Sequence, residues 1–109
     1  MSIEFWPEGK VAALSLTFDD ARPSQVDHGL PLLDSYGVQA TFYVSIQPMR
    51  DRKTEWKQSI KNGHEIGNHT FNHPCSGNFS FARNKPLEEY NLEQMRDEIL
   101  KANSCIEQE

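Results

Sequence analysis

The chain has 109 residues, 37% apolar and 25% charged, which allows one folded domain and argues against wholesale disorder. Its net charge of −5 disfavours a generic binder of the phosphate backbone, so nucleic acid is not an expected partner. No segment is apolar for long enough to span a membrane, and Met1 to Lys10 lack the basic and apolar regions of a signal peptide, so the sequence taken at face value reads as cytoplasmic.

The run Val11-Ala12-Ala13-Leu14-Ser15-Leu16-Thr17-Phe18 is mostly apolar with little alternation. It predicts a strand buried on both faces, as in a parallel sheet. Two acids, Asp19 and Asp20, end it. A helix is expected from Ser24 to Tyr36, with Ser24 as N-cap and Val26, Leu30 and Leu33 on the buried face. Pro31 interrupts that helix by kinking it or delaying its start, and Gly37 ends it. Val38 to Val44 reads as a second strand.

The basic run Arg50-Asp51-Arg52-Lys53 is broken by an acid and reads as a solvated loop. A second helix is expected from Lys53 to Asn62, with Trp56 and Ile60 on one face and Gly63 as its stop. His64 to Gly67 reads as a short third strand, and Asn68 to Pro86 as loop. In the last helix Leu92, Met95, Ile99, Ala102 and Ile106 recur at spacings of three and four, and Asn91 with Gln94 forms a capping box. Strands alternating with helices predict a parallel α/β architecture. Cys75 and Cys105 are too far apart for a redox or zinc pair and read as idle thiols.

In parallel α/β folds ligands gather at the C-terminal ends of the strands. Asp19 and Asp20 follow the first strand, and His69 and His73 follow the third. One carboxylate and two imidazoles leave an open position for water, the form of a catalytic zinc site. Each pattern also has a plain structural explanation, an ordinary histidine pair or a helix cap, and only their meeting on one rim brings the metal site level with it. A metalloprotease His-Glu-x-x-His begins at His64-Glu65 but fails at Asn68. His64 is assigned a structural role in the third strand and His28 an exposed place on the first helix.

Leu16-Thr17-Phe18-Asp19-Asp20 resembles the first motif of the polysaccharide deacetylases, carbohydrate esterase family four. Gly63 to Pro74, with His69-Thr70-Phe71-Asn72-His73 at its heart, resembles the second, and Tyr36 to Val44 looks like the strand between them. The resemblance implies that Asp19 is the general base, that Asp20, His69 and His73 bind a divalent metal, commonly zinc, and that Thr70 supports the loop. It implies the N-terminal part of a distorted (β/α) barrel and removal of acetyl groups from a carbohydrate. The family usually has Gly where Ala21 stands. A (β/α) barrel needs roughly 200 residues or more, so residues 1–109 are expected to form an incomplete catalytic domain. The family's later motifs supply a groove wall and a general acid, so little turnover is expected from this chain alone. Some members of the family resemble amidases of small cyclic amides, and the two motifs do not separate those substrates.

A second reading, from another class, is a non-catalytic module binding sugar or protein on the same rim, with Phe71, Phe79 and Phe81 as stacking candidates. A third consequence of an incomplete barrel is self-association through open edges.

Overall fold

The structure is a computed structural model and describes residues 5–109. Three strands form one parallel sheet in the order β1-β2-β3: β1 is Thr17–Asp19, β2 Thr41–Val44 and β3 Glu65–Asn68. Among the described residues four α-helices accompany them: α1 Leu30–Ser35, α2 Ile46–Asp51, α3 Lys53–Lys61 and α4 Leu92–Gln108. The architecture is the parallel α/β arrangement expected of part of a (β/α) barrel.

β1 is much shorter than the predicted run over residues 11–18, and it is not buried on both faces. Val11 and Leu14 are 88% and 85% exposed. β1 is an edge strand with β2 as its partner on one side, so residues 11–16 find no second strand among the described residues. The central strand also has one covered face. Phe42 and Val44 are buried while Tyr43, pointing the other way, is half-exposed. β2 begins at Thr41 rather than at Val38.

The helix expected over residues 24–36 forms in two pieces. A π-helical segment, Gln25–Gly29, precedes α1. Pro31 explains it: proline has no N–H for the carbonyl four residues back, and a widened turn just before it resets the hydrogen-bond ladder. Val26 and Leu30 are buried and Leu33 packs beside them, as expected. Ser24 stands at the N-cap position of this segment, in helical backbone, but does not cap it with its side chain. The Gln25 side chain ties this end to β1, its Nε2 donating to the Asp19 carbonyl at 2.7 Å.

The segment Arg50 to Lys53 is not a solvated loop. It closes α2, breaks at Arg52 and opens α3. Arg52 pairs with Asp27 at 2.7 Å and Glu55 at 2.9 Å, while Arg50 and Lys53 both pair with Glu109. In α3 the buried face is Trp56 with Ser59, and Ile60 is 55% exposed, contrary to expectation.

α4 has the predicted capping box. Its buried face is rotated from the predicted stripe. Glu98, Ala102 and Cys105 are buried, while Leu92 is 90% and Ile99 45% exposed. A carboxylate can lie on the buried side because its hydrogen bonds are satisfied there. The segment read as loop holds a short 3-10 turn at Ser80–Ala82.

The core centres on Phe42. Its ring stacks on Phe18 at 5.1 Å and meets Trp56 at 5.2 Å and His64 at 5.6 Å, edge to face in both. His64 is structural, as assigned: Nδ1 accepts from the Ala40 amide at 3.1 Å and Nε2 lies 2.7 Å from Asp34. His28 is exposed. Both cysteines are free, and Cys105 lies in the core.

Candidate metal centre

The register Asp19↔Tyr43 and Val44↔Asn68 brings the C-terminal ends of the three strands to one edge of the sheet. Asp20, Ser45 and His69 are the next residues after these strands. The Asp20 amide donates to the Tyr43 carbonyl at 3.0 Å, which extends the β1–β2 ladder by one bond. The chain then turns sharply, with φ of 78° at Asp20 and 55° at Ala21. Ala21 thus occupies a left-handed position that glycine adopts more easily, and its methyl is buried.

The second turn carries the histidines. Thr70 and His73 also have positive φ, 65° and 54°. Of the five non-glycine residues with positive φ among the described residues, four lie in these two turns, so backbone strain is concentrated at the site. Local hydrogen bonds hold it. The Thr70 hydroxyl donates to the His69 carbonyl at 2.6 Å and accepts from the His73 amide at 3.1 Å.

Two residues missed in the sequence tie this turn to the fold. Asn68 Oδ1 accepts from the Thr70 amide at 2.7 Å, and its Nδ2 donates to Ile99 O and Asn103 Oδ1 on α4. Glu98 accepts from the Phe71 and Asn72 amides and from Asn72 Nδ2, at 3.0, 2.6 and 2.6 Å. One weak signal was present: Glu98 lies in helical phase with Ala102 and Cys105.

The turns bring Asp20, His69 and His73 together. One ligand atom from each lies within 4.8 Å of the other two. Asp20 Oδ1 is 3.0 Å from His69 Nε2 and 3.7 Å from His73 Nε2, and the two imidazole centroids are 4.9 Å apart. His69 Nε2 is buried, and its 3.0 Å approach to Asp20 Oδ1 lacks the angle of a hydrogen bond. A buried ring nitrogen normally has a partner, and a cation among the three donors would give it one. The donor set of one carboxylate and two imidazoles therefore fits a divalent transition metal with open positions.

Asp19 ends β1 one residue before Asp20; it is exposed, its carbonyl accepts from Gln25, and it is neither among the converging ligand atoms nor in the wall of the adjoining cavity. Arg22 Nε lies 3.7 Å from Asp20 Oδ2. An open cavity of about 440 Å³ adjoins the cluster, with Asp20, Arg22, Ser45, His73 and Phe81 in its wall.

The Asp-His-His cluster thus lies at the C-terminal ends of parallel strands, where β/α folds gather their ligands. The sequence model described as "Polysaccharide deacetylase" matches residues 7–109. The chain belongs to the polysaccharide deacetylase family, carbohydrate esterase family four. It is 40% identical over 68 residues to a peptidoglycan-N-acetylglucosamine deacetylase of Bacillus cereus (strain ATCC 14579), covering 62% of this chain and 32% of that protein. It is 32% identical over 92 residues to a chitooligosaccharide deacetylase of Bradyrhizobium sp. (strain ANU 289), covering 84% and 37%. Among solved structures, the peptidoglycan deacetylase PdaC of Bacillus subtilis superposes with a TM-score of 0.68 at 26% identity, covering 86% of this chain and 42% of that one. The chain thus spans less than half the length of each of these proteins.

Proposed function

We propose that the chain is part of a metal-dependent hydrolase that removes acetyl groups from a carbohydrate by N- or O-deacetylation. The observation that carries this is the cluster of Asp20, His69 and His73, whose ligand atoms converge within 4.8 Å, in a chain of a deacetylase family. Asp20, His69 and His73 would hold the ion, with zinc the expected one. A bound divalent ion acidifies water and polarises a carbonyl oxygen. Asp19 is the proposed general base, taking a proton from water as that water attacks the acetyl carbonyl. Help of this kind is worth about 10² to 10⁴ in rate. Thr70 keeps the two imidazoles in register through its two hydrogen bonds.

The named relatives act on peptidoglycan or chitooligosaccharides, which supports a sugar over a small cyclic amide as substrate. We also propose that residues 1–109 form an incomplete catalytic domain that turns over slowly alone. The test is acetate release from an N-acetylated chitooligosaccharide by the zinc-loaded chain. The expected result is slow release that stops on chelation and is lost in Asp19→Asn. Release that survives chelation would contradict the assignment. Turnover equal to that of an intact relative would contradict the second claim.

A further inference from the structure

We propose that Gln25 is a positioning residue for the site: its side chain locks the peptide unit between Asp19 and Asp20, and with it the relation of the proposed base to the proposed metal ligand. What is positioned rests on the deacetylase reading; the lock itself rests on the hydrogen bonds of this chain alone.

A trans peptide is planar and points its carbonyl and its N–H in opposite directions. Here both ends are held. The Asp20 amide donates to the Tyr43 carbonyl of β2 at 3.0 Å, and the Asp19 carbonyl accepts from Gln25 Nε2 at 2.7 Å. That carbonyl therefore faces the outer edge of β1, where no strand lies among the described residues. Gln25 supplies the donor that a neighbouring strand would otherwise bring. Its backbone amide closes the preceding turn on the Arg22 carbonyl at 2.9 Å, which leaves the side chain free to reach back to β1. Gln25 Oε1 has no hydrogen-bond partner among the described residues, so the Asp19 carbonyl is the one group this side chain serves.

The lock matters because the backbone beyond it is strained. Asp20 has a φ of 78° and Ala21 of 55°, left-handed values that are costly for a residue with a Cβ. Turning the Asp19–Asp20 peptide over would carry Asp20 from 78° to about −100°, an ordinary value, and relieve the strain there. That flip breaks the Tyr43 bond and the Gln25 bond together. Without the Gln25 donor it breaks one bond, and the strain it relieves is of the same size as a single hydrogen bond. The flip changes ψ of Asp19 and φ of Asp20, the two torsions that lie between the proposed base and the proposed ligand.

The test is amide hydrogen exchange of the metal-free chain by NMR, beside zinc affinity by competition with a chromophoric chelator. Thr41 is the internal reference: its amide donates to the Leu16 carbonyl at 3.0 Å, at the other end of the β1–β2 ladder. Gln25→Met and Gln25→Glu keep the side-chain length and remove the donor, while Gln25→Lys retains one. Exchange at Asp20 relative to Thr41 should rise by about two- to tenfold in Gln25→Met and Gln25→Glu, and stay near the wild-type value in Gln25→Lys. Zinc binding by Gln25→Met should weaken by about twofold or more, because the binding-competent fraction falls. A purely structural role would speed Asp20 and Thr41 together. A ratio unchanged in both Gln25→Met and Gln25→Glu, or raised as far in Gln25→Lys as in Gln25→Met, overturns the lock. A raised ratio with unchanged zinc affinity overturns the positioning role. A wild type that binds no zinc contradicts the metal-dependent reading, and the exchange ratio, read without metal, still decides the lock.

Discussion

Thr70 ties together the two histidines proposed as ligands, since one hydroxyl bonds both to the His69 carbonyl and to the His73 amide. Groups that orient metal ligands without touching the metal typically change affinity by about 10- to 100-fold. Thr70→Val should therefore weaken zinc binding by about tenfold, while Thr70→Ser retains it, as measured by competition with a chromophoric chelator. Equal affinity in Thr70→Val would limit Thr70 to a packing role. The convergence of Asp20, His69 and His73 was partly legible in the sequence: the strand order placed them on one rim, level with a plain structural reading, and the resemblance to the deacetylase motifs assigned them as ligands. Asn68 and Glu98 were not. Their contacts cross 26 to 35 residues, and no local pattern reports a hydrogen bond of that span.

At the scale of elements, α4 holds the histidine turn through Glu98. Glu98→Ala removes three hydrogen bonds and leaves the Phe71 and Asn72 amides without their acceptor. The expected loss is about 1–3 kcal/mol, with weaker zinc binding, read from urea unfolding and zinc titration. Glu98→Gln should cost less, because its amide oxygen still accepts. A Glu98→Ala protein as stable as the wild type would separate α4 from the site. The order of strands and helices was legible because apolar runs and glycine stops punctuate it. Gly63 is an example: it ends α3 at φ 98° with its amide on the Ile60 carbonyl. The faces of α3 and α4 were less legible. Both present a polar residue, Ser59 or Glu98, to the core and an isoleucine to solvent. Hydrophobic periodicity cannot see a polar group whose partner lies elsewhere in the fold. α2 escaped because six residues are too few to show a period.

At the scale of the whole molecule, the exposed surface is 8100 Å². A compact monomer of 12.5 kDa would expose about 6,200 Å². The radius of gyration is 17.2 Å against about 13 Å for a compact chain of this length. Open strand edges and exposed apolar side chains such as Val11, Leu14 and Leu92 account for part of the excess. Sedimentation equilibrium is expected to give a mass that rises with concentration; a monomer mass throughout would contradict this.

The ion pairs of Arg52 join the π-helical segment to α3. The Arg52 guanidinium holds both Asp27 and Glu55 below their ordinary values of 3.8 and 4.5, chiefly by hydrogen bonds. Carboxyl groups lowered in the folded state add stability above those ordinary values and lose it as pH falls through the lowered ones. The stability difference between wild type and Arg52→Ala should therefore be constant near neutral pH and fade below about pH 4. A difference that persists at pH 2 would mean that Arg52 acts by packing instead.

The central claim is that Asp20, His69 and His73 bind one metal ion, and calorimetric zinc titration of the chain beside His69→Ala/His73→Ala tests it most directly. The account predicts one-to-one binding in the wild type, weaker than a closed structural site, and none in the double variant. Equal binding by both proteins, or none by a wild type with a folded circular dichroism spectrum, would contradict it.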